Sequence, residues 1–250
     1  MKLQLIRSAT LRLEYAGHLI LIDPFLAAKE TIRSFAGNGE NPTVDLPCTL
    51  EEVIADVEMI IISHLHVDHF DDLAAELLPK DLPVFCQQGD ERRIVEKGFT
   101  QVTAVSDQIV WQNITITRTT GQHGTGEWAE KMGNVSGFIF QAEGEPTVYW
   151  MGDTIWYNEV RQIVQETKPD IIITHSSGAK FGESDPIVMD AEMTTAVCQF
   201  APQAVIIAVH LESLDHGTVT RQALRDLANA YEISSDRLLI PEDGEMLTLT

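Results

Sequence analysis

The residues whose chemistry is most informative lie in one short segment, His64-Leu65-His66-Val67-Asp68-His69. Three of the eight histidines of the chain fall within these six positions, directly after an apolar run, Met59-Ile60-Ile61-Ile62. Because each unpaired polar group inside a buried strand costs several kcal/mol, we predict that the strand stops at Ser63. The loop that follows would gather imidazoles and a carboxylate. Neutral imidazole nitrogens and carboxylate oxygens are ligands for zinc and its neighbours in the first transition row. The segment therefore predicts a metal site.

Three further strand ends carry similar residues. His123 follows the predicted strand Ile114 to Thr119, and Gly121 and Gly124 on either side of it would let the backbone approach a ligand closely. Asp153, in Gly152-Asp153-Thr154, follows a predicted strand from Thr147 to Met151. His175 follows the strand Ile171 to Thr174, and it is a candidate either for substrate contact and proton transfer or for a buried supporting position.

The last candidate ligand is either His210 or His216. His210 ends the apolar strand Ala204 to Val209, in the same position as the other strand-end histidines. His216 precedes Gly217 near a predicted helix start, where the helix dipole disfavours a protonated imidazole and favours bound anions. We therefore expect His210 to bind metal and His216 to lie further out, near an anionic part of the substrate.

The spacing His64-x-His66-x-Asp68-His69 resembles the HxHxDH signature of the metallo-β-lactamase-fold hydrolases. The N-terminal run from Ser8 to Gly17, followed by Ile20-Leu21-Ile22-Asp23-Pro24-Phe25, also resembles that superfamily. It is most similar to the branch of broad metal-dependent hydrolases that includes L-ascorbate-6-phosphate lactonase. The resemblance implies an α/β fold, the αββα four-layer sandwich, and a site that usually holds two metals.

The resemblance also implies a set of metal ligands. One metal would be held by His64, His66 and His123, and the second by Asp68, His69 and His210, with Asp153 shared between them. Two divalent cations roughly 3.5–4 Å apart would fit the two-metal hydrolase plan. Zinc suits the nitrogen-rich set best, and manganese is the second choice because Asp68 and Asp153 supply oxygen.

Such a pair lowers the pKa of water to about 7 and generates hydroxide for attack on a small ester, lactone or phosphoester. The residues predicted to take part in catalysis are Asp68, Asp153 and His175. The proton donor to the leaving group would be Asp68 or a histidine of the pocket, and the sequence does not decide between them. Asp23 would either bind metal or, as we favour, orient a metal-bound histidine by accepting its free N–H.

The elements that must position these residues alternate through the chain. Period-two and apolar patterns predict strands at 2–7, 10–15, 19–22, 59–62, 83–86, 101–105, 109–111, 114–119, 136–141, 147–151, 171–174, 204–209, 238–240 and 246–249. Helices are predicted from Thr49 to Ala55 and at 71–78, 90–97, 158–167, 190–200 and 219–231. The absence of a linker or repeat predicts one domain over residues 1–250, with two sheets back to back and helices outside.

Two segments are predicted to be loops near the site. Ala27 to Pro47 has little periodicity, and loops of this length tend to be functional or mobile. Gly126 to Gly133 is predicted to be a loop in which Glu127 and Trp128 form a wall of the pocket. Trp156 and Tyr157 are candidates for the floor of the substrate site or for core positions.

Composition narrows the classes of function. A formal charge of −21, dispersed along the chain, disfavours DNA or RNA as substrate because phosphate binding relies on clustered Lys and Arg. No apolar run is long enough to span a bilayer, and no secretory signal is recognisable at Met1. Three scattered cysteines indicate a reducing cytosol. We therefore expect a cytoplasmic enzyme with a small-molecule substrate and no nucleic-acid or membrane partner, while homo-oligomerisation stays open.

Three alternatives are weighed against a hydrolase. A di-iron oxygen-reducing enzyme of this fold would carry glutamate in place of His66 and an attached flavin domain. A phosphodiesterase or nuclease of the fold would need a basic surface or an extra domain. A non-catalytic metal-binding scaffold would have lost a ligand or blocked the site, and the sequence retains every ligand that the resemblance implies.

Overall fold

Apolar runs such as Met59–Ile62 are long because both faces of each central strand are covered. Met59 and Ile61 belong to the cluster that fills the space between the two sheets, whereas Ile60 and Ile62 pack under helices. Ile171 and Ile173 also face the other sheet, and Ile172 faces helices. Strands covered on both faces are near-continuously apolar, since successive side chains point to opposite sides.

The computed structural model describes residues 1–249. The first half of the chain forms strands β1 (Lys2–Arg7), β2 (Thr10–Tyr15), β3 (His18–Ile22), β4 (Met59–Ile62), β5 (Pro83–Gln87) and β6 (Gln101–Val105), with helices α1 (Leu50–Ile54), α2 (Asp72–Leu77) and α3 (Glu91–Glu96). The second half forms β7 (Gln108–Trp111), β8 (Ile114–Thr120), β9 (Ser136–Gln141), β10 (Val148–Trp150), β11 (Ile171–His175), β12 (Val205–Val209), β13 (Leu238–Leu239) and β14 (Met246–Thr248). Its helices are α4 (Glu127–Met132), α5 (Asn158–Thr167), α6 (Ala191–Phe200) and α7 (Arg221–Ala230).

The strands form two seven-stranded sheets, in the orders β14-β1-β2-β3-β4-β5-β6 and β13-β12-β11-β10-β9-β8-β7. One apolar cluster lies between the sheets, and each outer face is covered by the helices of its own half. The predicted αββα four-layer sandwich is confirmed.

The direction of the strands determines which ends meet. Strands β3 to β6 run parallel, and so do β10 to β13. Strand β8 is antiparallel to β9, which is antiparallel to β10, so β8 and β10 point the same way. The carboxyl ends of β3 and β4, and those of β8, β10, β11 and β12, therefore each lie at one edge of their sheet.

The prediction for Gly126 to Gly133 is wrong in its secondary structure. The segment between the two glycines forms helix α4, which is shorter than two turns, and Glu127 is paired to Lys131 in it at 2.9 Å. A helix this short has no apolar periodicity to reveal it. The other predicted helices and strands are present, with ends that differ by one or two residues. No helix among residues 1–249 is long and apolar enough to cross a membrane.

Candidate metal centre

The strand ends bring two groups of side chains together at one end of the sandwich. His64, His66 and His123 form the three-histidine group, whose ring nitrogens lie within 4.8 Å of one another. The second group, which we call the mixed group, consists of Asp68, His69, Asp153 and His210. Asp68 Oδ2 lies 3.4 Å from His210 Nε2 and 3.7 Å from His69 Nε2. Every residue expected to bind metal therefore lies in one of the two groups.

Asp153, a member of the mixed group, also lies next to the three-histidine group. Its Oδ2 is 3.3 Å from His123 Nε2 and 3.2 Å from His69 Nε2, while Oδ1 is 3.9 Å from His210 Nε2. Ligand atoms about 2.1 Å from a shared tetrahedral metal lie about 3.4 Å apart. These spacings fit a carboxylate that faces both groups.

The local backbone explains why Asp153 can lie there. Gly152 has φ of +66°, and a Cβ at this position would meet Ser136 O at 2.5 Å. Glycine is thus required for the turn that brings strand β10 to Asp153. By contrast, the glycines around His123 make room for protein: a Cβ on Gly124 would meet Ile187 Cγ2 at 3.0 Å, and one on Gly121 would meet Val135 Cγ2 at 2.9 Å. These two glycines therefore make room for neighbouring side chains, and the close approach of a ligand to them stays a prediction.

His210 has a strained backbone. Its φ is +63°, a left-handed conformation that costs a non-glycine residue about 1–3 kcal/mol and that is concentrated at functional sites. Its N–H donates to Ser8 O at 2.9 Å, which ties the end of β12 to the turn between β1 and β2. The strain is thus held in place by a contact between the two sheets.

In His64, His69 and His123, the Nδ1 atom contacts a polar group of the protein, which leaves Nε2 as the candidate metal ligand. His69 Nδ1 contacts Asp23 Oδ2 at 2.5 Å, and His123 Nδ1 donates to Ile187 O at 2.8 Å. Asp23 also accepts from the N–H and hydroxyl of Ser63, whose Oγ contacts His64 Nδ1 at 2.9 Å. Such partners orient metal-binding histidines and raise their basicity.

His175 occupies a different kind of position from the one expected for a substrate contact. It is fully buried and lies behind Asp153, where Trp150 Nε1 donates to its Nε2 at 3.0 Å. The indole nitrogen is only a donor, so Nε2 carries the lone pair and Nδ1 carries the proton. That proton is donated to Asp153 Oδ1 at 2.6 Å. With both nitrogens engaged, the ring orients Asp153.

The charges of the two groups follow from burial and contact. Burial lowers the pKa of His64, and it lowers that of His123 to about 4, so both rings are neutral imidazoles, the form that binds metal. Burial acts to raise the pKa of Asp68 and Asp153, yet the neighbouring His69 and His210 hold both carboxyls well below their usual range. Asp153 and Asp68 in turn raise the pKa of His69 and of His210. His64 and His123 are therefore neutral donors, whereas the mixed group pairs two ionised carboxylates with two histidines from which a bound cation would displace the Nε2 proton.

The donor set fits divalent cations. His64 Nε2 and His210 Nε2 are buried nitrogens with no hydrogen-bond partner in the protein. Buried polar atoms without a partner are rare in proteins and call for a ligand, an ion or a water. Ions held by the two groups would engage both nitrogens and balance the buried carboxylates.

A cavity of about 310 Å³ opens beside the centre. Asp68, Asp153, His66 and His123 reach it from the two groups, and its walls are Phe35, Leu65, Val67, Met132, Phe181 and Ile187. Among residues 1–249, no Lys or Arg lines it. A second, polar cavity adjoins His64 and His66 and is lined by Gln88, Arg93 and Asn134.

His216 lies in the wall of the first cavity. It is 7% exposed, its ring contacts Phe35 and Phe181 at 5.2 and 5.5 Å between centroids, and its Nδ1 has no partner. Burial lowers its pKa, so the ring is neutral. Its surroundings are aromatic, which suits an apolar group of a substrate better than the anionic group that we expected.

Some residues near the site were not found from the sequence. Phe35 lies in an aperiodic loop and Phe181 in the connection between β11 and α6, and neither has a pattern that marks it as pocket-lining. Trp150 is part of an apolar strand in which nothing distinguishes a hydrogen-bond donor from core. Of the aromatic candidates, Trp128 stacks on Phe181 at 4.7 Å and supports the wall, whereas Trp156 packs on Phe200 in the core.

Comparisons with known proteins agree with this architecture. Residues 18–211 match the family model described as a beta-lactamase superfamily domain. The protein YddR of Bacillus subtilis (strain 168) is 35% identical over 254 residues, covering 99% of this chain and 100% of YddR. The crystal structure of a possible metal-dependent hydrolase from Veillonella parvula DSM 2008 has a TM-score of 0.95 at 35% identity, covering 100% of this chain and 99% of that one. An isothiocyanate hydrolase from Delia radicum gut bacteria has a TM-score of 0.93 at 36% identity, with the same coverage.

Proposed function

The chain belongs to the beta-lactamase superfamily and is a metal-dependent hydrolase of the metallo-β-lactamase fold, and we propose that it hydrolyses small, uncharged substrates at an electrophilic carbon. Esters and lactones that carry an apolar group are the class that the site serves best. The observation that carries this proposal is a set of seven His and Asp donors beside a cavity with apolar walls.

We propose that the three-histidine group and the mixed group each hold one divalent cation, with Asp153 shared. The nitrogen-rich set favours zinc, and the two carboxylates make manganese the second choice. Bound cations supply Lewis acidity and lower the pKa of water to about 7. The protein's part is to position the ligands and the substrate and to keep the site dry.

The residues contribute to this in distinct ways. Asp23 and Ile187 O hold the rings of His69 and His123, and His175 holds Asp153 through its Nδ1 proton. Asp68 belongs to the mixed group and also lines the cavity. It is therefore the candidate to bind a cation and to carry a proton to the leaving group. The apolar walls exclude water and bind the part of the substrate that does not react.

Phosphoesters fit this cavity less well than carboxyl esters. Phosphate recognition in proteins relies on Arg or Lys, or on the N-termini of helices. Within the described part of the chain, the cavity has no such cation, and Arg93 lines only the adjoining polar cavity. The charge of −21 also repels anionic substrates, nucleic acids included.

Isothiocyanate hydrolysis is the second candidate. A solved isothiocyanate hydrolase is 36% identical over the full length of this chain. In that reaction water adds to the central carbon of R–N=C=S, the C–N bond breaks, and the products are the amine and carbonyl sulfide. The substrate is neutral and carries an apolar R group, so it meets the same requirements as an apolar ester.

One experiment separates these classes. The zinc-loaded and manganese-loaded protein is assayed with phenyl acetate, γ-butyrolactone, benzyl isothiocyanate and bis(p-nitrophenyl) phosphate, with Asp153→Ala as the inactive control. We expect turnover of one or more of the three neutral substrates, at a higher kcat/KM than the phosphodiester. Preference for the phosphodiester, or equal turnover by Asp153→Ala, would contradict the proposal.

A further inference from the structure

The aromatic wall of the cavity is built from distant parts of the chain. Phe35 comes from the loop between β3 and α1, and Phe181 comes from the connection between β11 and α6. The ring of His216 contacts both, perpendicular to Phe35 and nearly parallel to Phe181. These three rings form a corner beside the donors of the metal centre.

The segment that carries Phe35 is held by one carboxylate, that of Asp215. Its Oδ2 accepts from Ser34 Oγ at 2.5 Å and from the N–H groups of Ala36 and Asn38 at 2.9 and 3.2 Å. Its Oδ1 accepts from Phe35 N–H at 2.9 Å and from Asn41 Nδ2 at 2.8 Å. Five donors from residues 34–41 thus converge on one side chain.

The backbone of Asp215 strengthens the same contact. Its N–H donates to Asn41 Oδ1 at 2.8 Å, and its carbonyl accepts from Asn38 Nδ2 at 3.1 Å. Burial acts to raise the pKa of Asp215, but the donors from Ser34, Asn41, Phe35 and Ala36 lower it well below its usual range. The group is therefore an ionised acceptor, and charge-assisted hydrogen bonds of this kind are the stronger ones.

Asp215 and His216 are neighbours in sequence, so one dipeptide fixes two parts of the wall. Asp215 turns away from the cavity and holds the Phe35 loop, while the next residue places its ring in the cavity wall. The predicted long loop from Ala27 to Pro47 is consequently held against the second half of the chain beside the site.

We infer that Asp215 is a positioning residue for substrate specificity, which holds Phe35 against the His216 ring so that the site selects substrates bearing an aryl group. The inference rests on the proposed function, because it names the substrate class of the same site. Aromatic rings favour perpendicular or offset contacts at 4.5–7 Å between centroids. A corner with one ring perpendicular to its neighbour and one stacked on it offers an aryl group both contacts.

The test uses two hydroxamates, which chelate metal through the same group whatever reaction the site performs. Affinities of benzohydroxamate and acetohydroxamate for the zinc-loaded protein are measured by calorimetry. We expect the wild type to bind benzohydroxamate roughly 10-fold more tightly, a ratio on the scale of one aromatic contact. In Asp215→Asn an amide nitrogen replaces Oδ2 and cannot accept the hydrogen bonds from the N–H groups of Ala36 and Asn38. The ratio of the two affinities should therefore fall toward 1, while the affinity for acetohydroxamate stays unchanged.

Two further variants sharpen the result. Phe35→Leu should lower the ratio as Asp215→Asn does. Asp170→Asn is the matched control, since Asp170 is an exposed carboxylate that accepts a backbone N–H from Thr147 at 2.7 Å far from the cavity, and it should leave the ratio unchanged. A ratio unchanged in Asp215→Asn, or equal weakening of both hydroxamates, overturns the inference.

Failure of the proposed function gives a different result. If neither hydroxamate binds the wild type, the metal centre as proposed is wrong, and amide hydrogen exchange decides on Asp215 by itself. The N–H groups of Phe35, Ala36 and Asn38 should then exchange faster in Asp215→Asn than in the wild type. Unchanged exchange at all three overturns the inference.

Discussion

The three-histidine group and the mixed group differ in charge and in burial. The three-histidine group offers nitrogen donors and no carboxylate, and His66 is only half-buried. The mixed group carries the carboxylates of Asp68 and Asp153, is almost fully buried, and has Asp23 behind His69. Buried carboxylates attract a cation more strongly than neutral imidazoles do, because little solvent screens them. For the two ions that we propose, we therefore expect the mixed group to hold its ion tightly and the three-histidine group to hold a more exchangeable one.

The largest effect is expected from Asp153→Ala, because Asp153 is the residue that faces both groups. Loss of a partner that only supports a metal ligand costs about 10- to 100-fold, so loss of a shared ligand should lower kcat/KM by more than about 100-fold. Metal analysis should show that the second ion is lost, while circular dichroism should show that the fold survives, since only a side chain beyond β10 is removed.

The control for that variant is Asp185→Ala, which removes an exposed carboxylate bonded to Thr125. It should keep full metal content and activity. Wild-type activity in Asp153→Ala would show that the Gly152-Asp153-Thr154 turn is merely structural and that Asp153 is not a ligand shared by the two groups.

A second pair of variants tests the mixed group alone. His210→Ala should lose one ion per chain, because His210 Nε2 lies 3.4 Å from Asp68 Oδ2 and has no hydrogen-bond partner. His216→Ala should keep its metal content and mainly raise KM, because His216 lies among Phe35 and Phe181 in the cavity wall. If metal content falls for His216→Ala and not for His210→Ala, the assignment is reversed.

A smaller effect is expected from the residues behind Asp153. His175→Ala removes the donor to Asp153 Oδ1, and the affinity for the second ion should fall by about 10- to 100-fold. Trp150→Phe removes the indole N–H that fixes the His175 tautomer and should act in the same direction with a smaller change. Competition with a chelator measures both, and unchanged affinity in the two variants would show that His175 is only a core residue.

Much of the fold followed from the sequence because its signals are local. The run Met59–Ile62 and its counterparts predicted strands, and the polar residues directly after them marked the strand ends. Helix α4 was predicted to be a loop because a segment this short shows no apolar periodicity. The positions of Asp23, His64, His123 and Asp153 could be anticipated, since each follows a strand whose direction the sandwich dictates.

What could not be predicted depends on contacts between distant segments. Nothing around Asp215 indicates that five donors from residues 34–41 converge on it. Similarly, the tautomer of His175 is set by Trp150, which is 25 residues away and looks like any apolar strand residue. Such long-range hydrogen bonds leave no periodic signal in the sequence.

Seven residues form the two cation sites that we propose, and the sites share Asp153. Metal analysis of the purified protein after saturation with zinc and removal of free ion tests this proposal most directly. We expect two ions per chain. A chelator should first remove the ion of the three-histidine group, and His66→Ala should retain one ion. A saturated wild type holding one ion or fewer, or a His66→Ala variant that still holds two, would contradict it.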